Sequence, residues 1–201
     1  MVKKIGIMGG TFNPIHFGHL LLAQQAKETL NLDEIIFIPS GNPYMKDAAH
    51  VLNGKIRLEM TALAIKGYPG FGISSIEIDK DGPSYTYETL MQLRLENPLC
   101  HYFFIVGADS LLAMGTWKHP EKIFQNCSLA AAVRGGVFED QAKEAAADLT
   151  RRFNADIHIL PSRFIDLSSS EIRERIKNRK PIRYMLPENV IEYIDTHQLY
   201  L

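Results

Sequence analysis

IGIMGGTFNPIHFGH, residues 5–19, is the stretch of sequence that decides the fold. Its apolar start, Ile5 to Met8, predicts a short buried strand, and the amphipathic pattern of residues 19–30 predicts a helix soon after it. A strand that runs through two glycines into a helix is typical of the opening of a βαβ unit. The same alternation continues along the chain. We therefore expect an α/β fold, a Rossmann-like, doubly wound parallel sheet with crossover helices.

The remaining elements follow from the same two periodicities. Further strands are predicted at residues 34–38, 71–78, 101–106, 128–133 and 156–159. Further helices are predicted at residues 54–66, 84–96, 138–152 and 187–195. Prolines punctuate the chain after the last strand, so we expect residues 161–201 to form a small C-terminal helical extension of a single domain over residues 1–201.

The composition is that of an ordinary globular protein. Of the 201 residues, 46% are hydrophobic and 22% are charged, and 22 basic against 23 acidic residues give a net charge of −1. This balance argues against a surface built to coat nucleic acid or an anionic membrane. Cys100 and Cys127 are too few for a disulfide scaffold, and no apolar run is long enough to span a membrane. We therefore expect a cytoplasmic protein with no nucleic-acid or membrane partner, and we leave open whether it forms a homo-oligomer.

The glycine-rich turn offers a place for phosphate. Gly9 and Gly10 allow the backbone to come close to a nucleotide, and the N–H groups that open the following helix suit an anion. His16 and His19 are three residues apart, so both imidazoles point the same way over the first helical turn. The turn lacks the Gly-x-Gly-x-x-Gly pattern of dinucleotide-binding folds and the Gly-Lys-Ser/Thr of phosphate loops. The alternative is a tight turn followed by ordinary surface histidines.

A serine cluster near the C-terminus presents a similar choice. Ser168, Ser169 and Ser170 precede Glu171, a pattern typical of helix capping. Arg173 follows in the first helical turn, where a cation is unfavourable against the helix dipole. Its place there is easier to understand if it serves a bound polyphosphate.

Several residues between these segments have a purely structural interpretation when each is taken alone. Ser84 would cap a helix after a Gly-Pro turn, Asp109 would cap a short helix, and Trp117 would lie in the core. Lys46 would be a solvated loop residue. Arg57 would face solvent from an amphipathic helix.

Residues 10–19 match the pattern Gly-x-Phe-x-Pro-x-His-x-Gly-His, the signature of the HxGH nucleotidyltransferases. Several downstream stretches, among them residues 82–87 and 167–173, resemble the bacterial nicotinate mononucleotide adenylyltransferases, and the resemblance runs over nearly the whole chain. It implies an enzyme that transfers the adenylyl group of ATP to nicotinate mononucleotide in NAD biosynthesis, with Mg²⁺ carried in on the ATP phosphates. The alternatives are a relative that uses nicotinamide mononucleotide or phosphopantetheine, and a nucleotide-binding module without catalysis.

The motif and the resemblance together predict the site residues. The catalytic residues would be His16, His19 and Arg173. The ATP-binding residues would be Gly9, Gly10, Thr11, Phe12, Gly18, Arg134, Ser169 and Ser170. The residues that bind the second substrate would be Lys46, Thr86, Tyr87, Gly107, Asp109 and Trp117. No residue is predicted to bind a metal directly.

Two departures from the family pattern concern the substrate loops. Asn13 stands where relatives commonly have Asp, which keeps the hydrogen bonding of that position and removes its charge. Residues 43–46 read Pro-Tyr-Met-Lys where the family usually has Pro-Pro-His-Lys, so only Pro43 and Lys46 match. The first departure weakens a metal or ribose role for residue 13. The second leaves the shape of the substrate loop open.

Overall fold

Six parallel strands form one sheet in the computed structural model, which describes residues 2–42, 51–133, 137–161 and 167–201. The strands are β1 (Lys4–Gly10), β2 (Glu34–Pro39), β3 (Phe71–Ile73), β4 (His101–Gly107), β5 (Ser128–Val133) and β6 (Ile157–Pro161). Their order across the sheet is β3-β2-β1-β4-β5-β6, and every neighbouring pair is parallel. This is the strand order of the doubly wound fold, so the predicted fold class is confirmed.

Helices cover both faces of this sheet. In the described residues they are α1 (Phe17–Leu30), α2 (Gly54–Ile65), α3 (Thr86–Glu96), α4 (Ala108–Ala113), α5 (Pro120–Asn126), α6 (Val137–Phe153), α7 (Ser169–Lys177) and α8 (Glu188–Thr196). The helices α1, α2, α7 and α8 share one hydrophobic core, and α3 to α6 share the other. Over the stretches that the structure describes, no helix combines the length and the apolar character needed to cross a membrane.

Alternate strand residues build a core on each face. Phe37 and Ile105 belong to the cluster beneath α1 and α2, while Ile38 and Phe104 belong to the cluster beneath α3 to α6. Because both faces are covered, the central strands are apolar throughout rather than alternating with polar residues. All six residues of β5 are buried.

The chain changes direction across the sheet between β1 and β4. From β1 it proceeds to β2 and β3 on one side, and it then returns to β4 on the other side of β1. The loops that follow these two central strands therefore diverge and leave a crevice at their carboxyl ends, where doubly wound folds bind ligands. Gly10 and Gly107 end the two strands. The glycine-rich turn thus lies at this crevice.

The third strand is shorter than predicted, because it ends at Ile73 and not at Ile78. The Ser74 hydroxyl oxygen accepts a hydrogen bond from the N–H of Ile76 over 3.3 Å. The N–H of Ile78 donates to the carbonyl of Ser75 over 2.7 Å. Serine hydroxyls and a local turn therefore compete successfully with sheet pairing, although the alternation of Ile with polar residues has the period of a strand.

Two helix starts differ from prediction by two residues, and one short helix was not predicted. The first helix begins at Phe17, two residues before the predicted start. The third begins at Thr86 with Tyr85 as its N-cap, so the prediction that Ser84 caps this helix is wrong. The short helix α5 was not predicted; it opens with Pro120, whose fixed φ suits a first helical position.

Gly41, which follows β2, allows a very close approach of two backbone segments. A Cβ at this position would lie 1.9 Å from the carbonyl oxygen of Glu77. We expect Gly41→Ala to lower the free energy of unfolding by about 3 kcal/mol, because one of the two segments has to move. Gly107→Ala is the matched control, since a Cβ there meets no atom within 4 Å. Urea titrations measure both variants, and equal stabilities would contradict the expectation.

Candidate active site

The two predicted histidines lie together at the start of α1. His16 is the N-cap residue with an extended backbone, and it is only 6% exposed. His19, one turn later, is half-buried. Their rings stack with centroids 3.7 Å apart and an interplanar angle of 28°. The spacing of three residues therefore places both imidazoles side by side.

A backbone hydrogen bond fixes the ring of His19. The N–H of His16 donates to Nδ1 of His19 over 3.2 Å. Since Nδ1 is the acceptor, the proton of the neutral imidazole is on Nε2. The ring of Phe12 meets the same imidazole edge-on, with centroids 5.0 Å apart. The ring of His19 is therefore held in one orientation with Nε2–H as its donor.

Burial keeps His16 neutral. It lowers the pKa of the His16 imidazole to about 4. Among the described residues, Nδ1 of His16 has no hydrogen-bond partner. A buried nitrogen without a partner is better tolerated as a lone pair than as an N–H, so the proton of this ring is also on Nε2.

Gly18 makes room for the stacked pair. A Cβ on residue 18 would lie 3.0 Å from Nδ1 and 3.1 Å from Cε1 of His16. The same Cβ would lie 3.8 Å from the Cβ of Leu167, in the segment that precedes α7. A Cβ here would require the ring of His16 to shift by a few tenths of an ångström. The glycine between the two histidines therefore has a packing role.

The C-terminal serine cluster docks against the loop that precedes the histidines. The hydroxyl of Ser169 donates to the carbonyl of Pro14 over 2.8 Å. Nη1 of Arg173 donates to the carbonyl of Asn13 over 2.9 Å, and its Nη2 donates to the hydroxyl of Ser170 over 3.2 Å. The structure thus joins the two predicted phosphate-binding segments, whose contacting residues are 155 and 160 positions apart.

Capping explains one member of this cluster. Ser168 is the N-cap of α7, and its hydroxyl oxygen accepts a hydrogen bond from the N–H of Glu171 over 3.1 Å. Ser169 already gives its single hydroxyl proton to Pro14, so a phosphate contact through this side chain requires that bond to be exchanged. Arg173 is not part of the cap.

The residues predicted for the second substrate gather at the start of α3 and beside β4. Thr86 and Tyr87 open α3. The ring of Tyr87 meets that of His119 at 4.9 Å, which brings α3 next to the segment that contains Trp117. Trp117 is half-buried and contacts the ring of Phe104 with centroids 6.2 Å apart. This tryptophan is therefore at the border of the core rather than inside it.

Phe104 connects this group to the glycine-rich turn, because a Cβ at Gly9 would lie 3.2 Å from the Phe104 ring. Gly107 is the N-cap of α4, so the structural interpretation of Asp109 as the cap of the short helix does not hold. Asp109 lies exposed in the first turn of that helix. Gly9 and Trp117 thus approach the same ring, that of Phe104, while Gly107 and Asp109 lie where β4 passes into α4.

Arg57 is a residue whose place the sequence did not predict. It is 1% exposed, so the structural interpretation that it faces solvent is wrong. Its guanidinium donates to four backbone carbonyls, those of Thr11 (2.6 Å), Ser40 (2.6 Å), Gly41 (3.0 Å) and Leu52 (2.8 Å). Burial lowers the pKa of Arg57, but an arginine stays charged in a protein. The side chain therefore ties the loops after β1 and β2 to the start of α2.

Two predicted residues lie outside the described part of the chain. These are Lys46, with the loop of residues 43–46, and Arg134. Gly10 of the glycine-rich turn is held by the segment after β2, because its carbonyl accepts a hydrogen bond from the N–H of Ser40 over 2.8 Å. Phe12 is 2% exposed, and its ring packs edge-on against the imidazole of His19.

Comparison with known proteins identifies the family. The model of the cytidylyltransferase-like family matches residues 7–175. Proteins named "Probable nicotinate-nucleotide adenylyltransferase" from Clostridium botulinum (strain Eklund 17B) and Dehalococcoides mccartyi are 40% and 42% identical to this chain. The matches cover 99% and 98% of this chain and 98% and 97% of the two relatives. The chain belongs to the nicotinate-nucleotide adenylyltransferases.

A solved structure shares the fold of this adenylyltransferase. It is the nicotinic acid mononucleotide adenylyltransferase of Plasmodium falciparum complexed with NaAD, with a TM-score of 0.80 and 20% identity. The likeness covers 98% of this chain and 97% of that one. The Rossmann-like architecture of the sheet and its helices, including the C-terminal extension, is therefore common to both proteins.

Gly18→Ala tests the packing of the stacked histidines in this adenylyltransferase. If the pair acts on the substrate phosphates, we expect kcat to fall about threefold to tenfold, because rate depends steeply on the position of the reacting groups. Gly72→Ala is the matched control, since its Cβ would also meet a side-chain atom, Oε1 of Glu34 at 2.9 Å, but on the edge strand β3. Steady-state kinetics and melting temperatures are measured for both variants. An unchanged kcat in Gly18→Ala would show that the ring position is not critical.

The low pKa of His16 predicts that acid weakens the fold. Its ordinary pKa is 6.5 and its folded pKa is about 4, so the unfolded chain binds more protons between these values. Stability therefore falls as the pH drops from 6.5 towards 4. At pH 5 the loss due to this group is about 2 kcal/mol. We expect His16→Asn to lose correspondingly less stability between pH 7 and pH 5 in urea titrations, and equal losses would refute this.

Proposed function

We propose that this chain transfers the adenylyl group of ATP to nicotinate mononucleotide, forming nicotinate adenine dinucleotide and pyrophosphate in NAD biosynthesis. The observation that carries the proposal is the joined site at the switch point of the sheet. There His16 stacks on His19, and Arg173 is hydrogen-bonded to the loop that precedes them. The names of relatives about 40% identical over the whole chain support the choice of substrates.

This reaction needs positioning and charge stabilisation more than a protein nucleophile. The acceptor already carries a phosphate oxygen that can attack the α-phosphorus of ATP, and pyrophosphate leaves with the bonding electron pair. Charge builds up on the phosphate oxygens as this happens. Fixed hydrogen-bond donors aimed at those oxygens lower the barrier, and holding both substrates in line removes most of the entropic cost.

His16 and His19 would supply neutral donors to the phosphates through their Nε2–H groups. Two imidazolium rings stacked at 3.7 Å would repel one another, so neutrality is what allows the pair to exist. The start of α1 adds partial positive charge at the same place through the helix dipole, although the N–H of Phe17 already donates to the carbonyl of Met185 over 3.0 Å. Arg173 would supply the full positive charge, since its contacts with Asn13 and Ser170 are to neutral oxygens.

The second substrate would bind on the other side of the crevice. The N–H groups of Thr86 and Tyr87 open α3, where helical geometry provides no acceptor, and they suit the carboxylate of nicotinate. Trp117 would stack on the pyridine ring, since it is only half-buried. Asp109 would accept hydrogen bonds from sugar hydroxyls, and Gly107 would leave room, because a Cβ there meets no atom within 4 Å.

Mg²⁺ would enter the site on ATP. Within the described ranges, no three His, Cys, Asp or Glu side chains are grouped so that they could hold a metal ion. The described side chains are compatible with a metal that is carried by the β- and γ-phosphates of ATP, because Mg²⁺ commonly keeps water and substrate phosphates as ligands. The proposed substrate is therefore the magnesium complex of ATP.

Pyrophosphate release tests the proposed function. Purified protein is given ATP and Mg²⁺ with nicotinate mononucleotide, nicotinamide mononucleotide or phosphopantetheine at equal concentration. We expect the highest kcat/KM with nicotinate mononucleotide, because N–H groups at a helix start favour a carboxylate over an amide. A preference for either other acceptor would overturn the substrate assignment, and release with none would overturn adenylyl transfer.

His19→Ala tests the role of the histidine pair. We expect kcat to fall by about 10² or more with a folded protein, which is typical of removing one transition-state donor. His158→Ala is the matched control. His158 lies near the amino end of the edge strand β6, whereas α1 follows the carboxyl end of the central strand β1. Steady-state rates and circular dichroism are compared. A near-normal rate in folded His19→Ala protein would exclude this role.

A further inference from the structure

The C-terminal residues return to the glycine-rich turn. After α8 the chain folds back, and the N–H of Leu199 donates to the carbonyl of Ile194 over 3.0 Å. Leu199 is buried and Tyr200 is half-buried. The hydroxyl of Tyr200 donates to Oδ1 of Asn13 over 2.9 Å, across 187 positions of sequence. The tail of residues 197–201 therefore ends against the loop that leads to the histidine pair.

Helix α8, which precedes this tail, is anchored on α2. Nδ2 of Asn189 donates to the carbonyl of Leu63 over 2.7 Å. The hydroxyl of Tyr193 donates to the carboxylate of Glu59. Ile194, on the buried side of α8, is 1% exposed. The position from which Tyr200 reaches Asn13 is thus set by packing and by two polar contacts.

Within the described residues, Asn13 accepts hydrogen bonds from three different parts of the chain. Besides Tyr200, its side-chain oxygen accepts from the N–H of Leu52 over 3.3 Å, just before α2. Its backbone oxygen accepts from Arg173 over 2.9 Å. The residue is 4% exposed, so each lost bond leaves a buried acceptor poorly satisfied. One amide residue therefore links the loop after β1 to α2, to α7 and to the tail.

The positive charges of two guanidinium groups, those of Arg173 and Arg57, act on the phenol of Tyr200. Burial raises its pKa, and the charges of Arg173 and Arg57 oppose that rise. The net effect is upward, so the hydroxyl keeps its proton at neutral pH and remains the donor to Asn13. The same two arginines hold the carbonyls of Thr11 and Asn13.

We propose that Tyr200 is a positioning residue for adenylyl transfer, which acts through Asn13 to orient Arg173 and the loop before His16. The proposal rests on the proposed function. Tyr200 and Leu52 together hold the side-chain oxygen of Asn13, and this limits rotation of the residue whose backbone carbonyl receives Arg173. A change in the position of the Asn13 carbonyl would redirect the guanidinium of Arg173. Tyr200 itself has no part in the chemistry.

Tyr200→Phe tests the proposal, because it removes the hydroxyl and keeps the packing of the ring. We expect kcat to fall about tenfold and the Kd of the magnesium complex of ATP to rise about threefold, with the KM for nicotinate mononucleotide changed less than twofold. Tyr68→Phe is the matched control, since Tyr68 is 46% exposed and lies just before β3. A lower melting temperature with unchanged kcat and Kd would mean a merely structural role and would overturn the proposal.

A double-mutant cycle tests the route through Asn13. In an Asn13→Ala background, which has no side-chain acceptor, Tyr200→Phe should cause no further loss of kcat. In an Asn13→Asp background, which keeps an acceptor, the tenfold effect should persist. A tenfold loss in both backgrounds, or in neither, would overturn the route.

Binding of ATP separates this proposal from the proposed function. Isothermal titration with ATP and Mg²⁺ needs no acceptor, so it reports on Arg173 even if the unmodified protein releases no pyrophosphate with nicotinate mononucleotide. In that case adenylyl transfer to this acceptor fails, and a threefold higher Kd in Tyr200→Phe, but not in Tyr68→Phe, supports the positioning role. Equal Kd values in the three proteins would overturn it.

Discussion

Three backbone carbonyls anchor the loop between β1 and α1, on which the candidate site depends. They accept hydrogen bonds from side chains of α2 and α7, and a loop that cannot pair its own backbone needs such outside donors when it is buried. The acceptors are those of Thr11, Asn13 and Pro14, and the donors are Arg57, Arg173 and Ser169. The loop leads directly into the histidine pair, so the position of both imidazoles depends on these three bonds.

Burial decides which side chains near the histidine pair carry charge, and the result would suit the polyphosphate of the proposed substrate. It makes His16 neutral, with a pKa of about 4, and this permits a close stack with His19. Arg57 is just as deeply buried and stays charged, because four carbonyl dipoles replace its water. The side chain of Arg173 contacts only neutral oxygens in the bonds that hold it. In the proposed site, arginines would thus supply the positive charge, and the histidines would add directional donors without adding charge.

The fold and the glycine-rich turn could be predicted because their signals are local: apolar runs, helical periodicity and a strand-turn-helix junction. Local signals failed beyond Ile73, where the polar–apolar alternation has the period of a strand but serine hydroxyls favour a turn. They also failed at Arg57, whose four acceptors come from three separate segments of the chain. The available hint was its register with the buried residues Met60 and Ala64 of the same helix. The contact between Tyr200 and Asn13 had no local signal at all.

Two kinds of interaction attach the C-terminal extension, and they do different work. Ile172 and Ile194 are 0% and 1% exposed, and burial of such side chains contributes about 2 kcal/mol each without specifying direction. The hydrogen bonds from Ser169 and Tyr200 to residues 14 and 13 contribute about 1 kcal/mol each, the bond from the charged Arg173 about 2 kcal/mol, and all three are directional. The extension is therefore held by its apolar face and set in register by its polar contacts. Apolar burial thus keeps α7 and α8 against the rest of the chain, whereas the polar contacts determine where residues 13 and 14 lie relative to them.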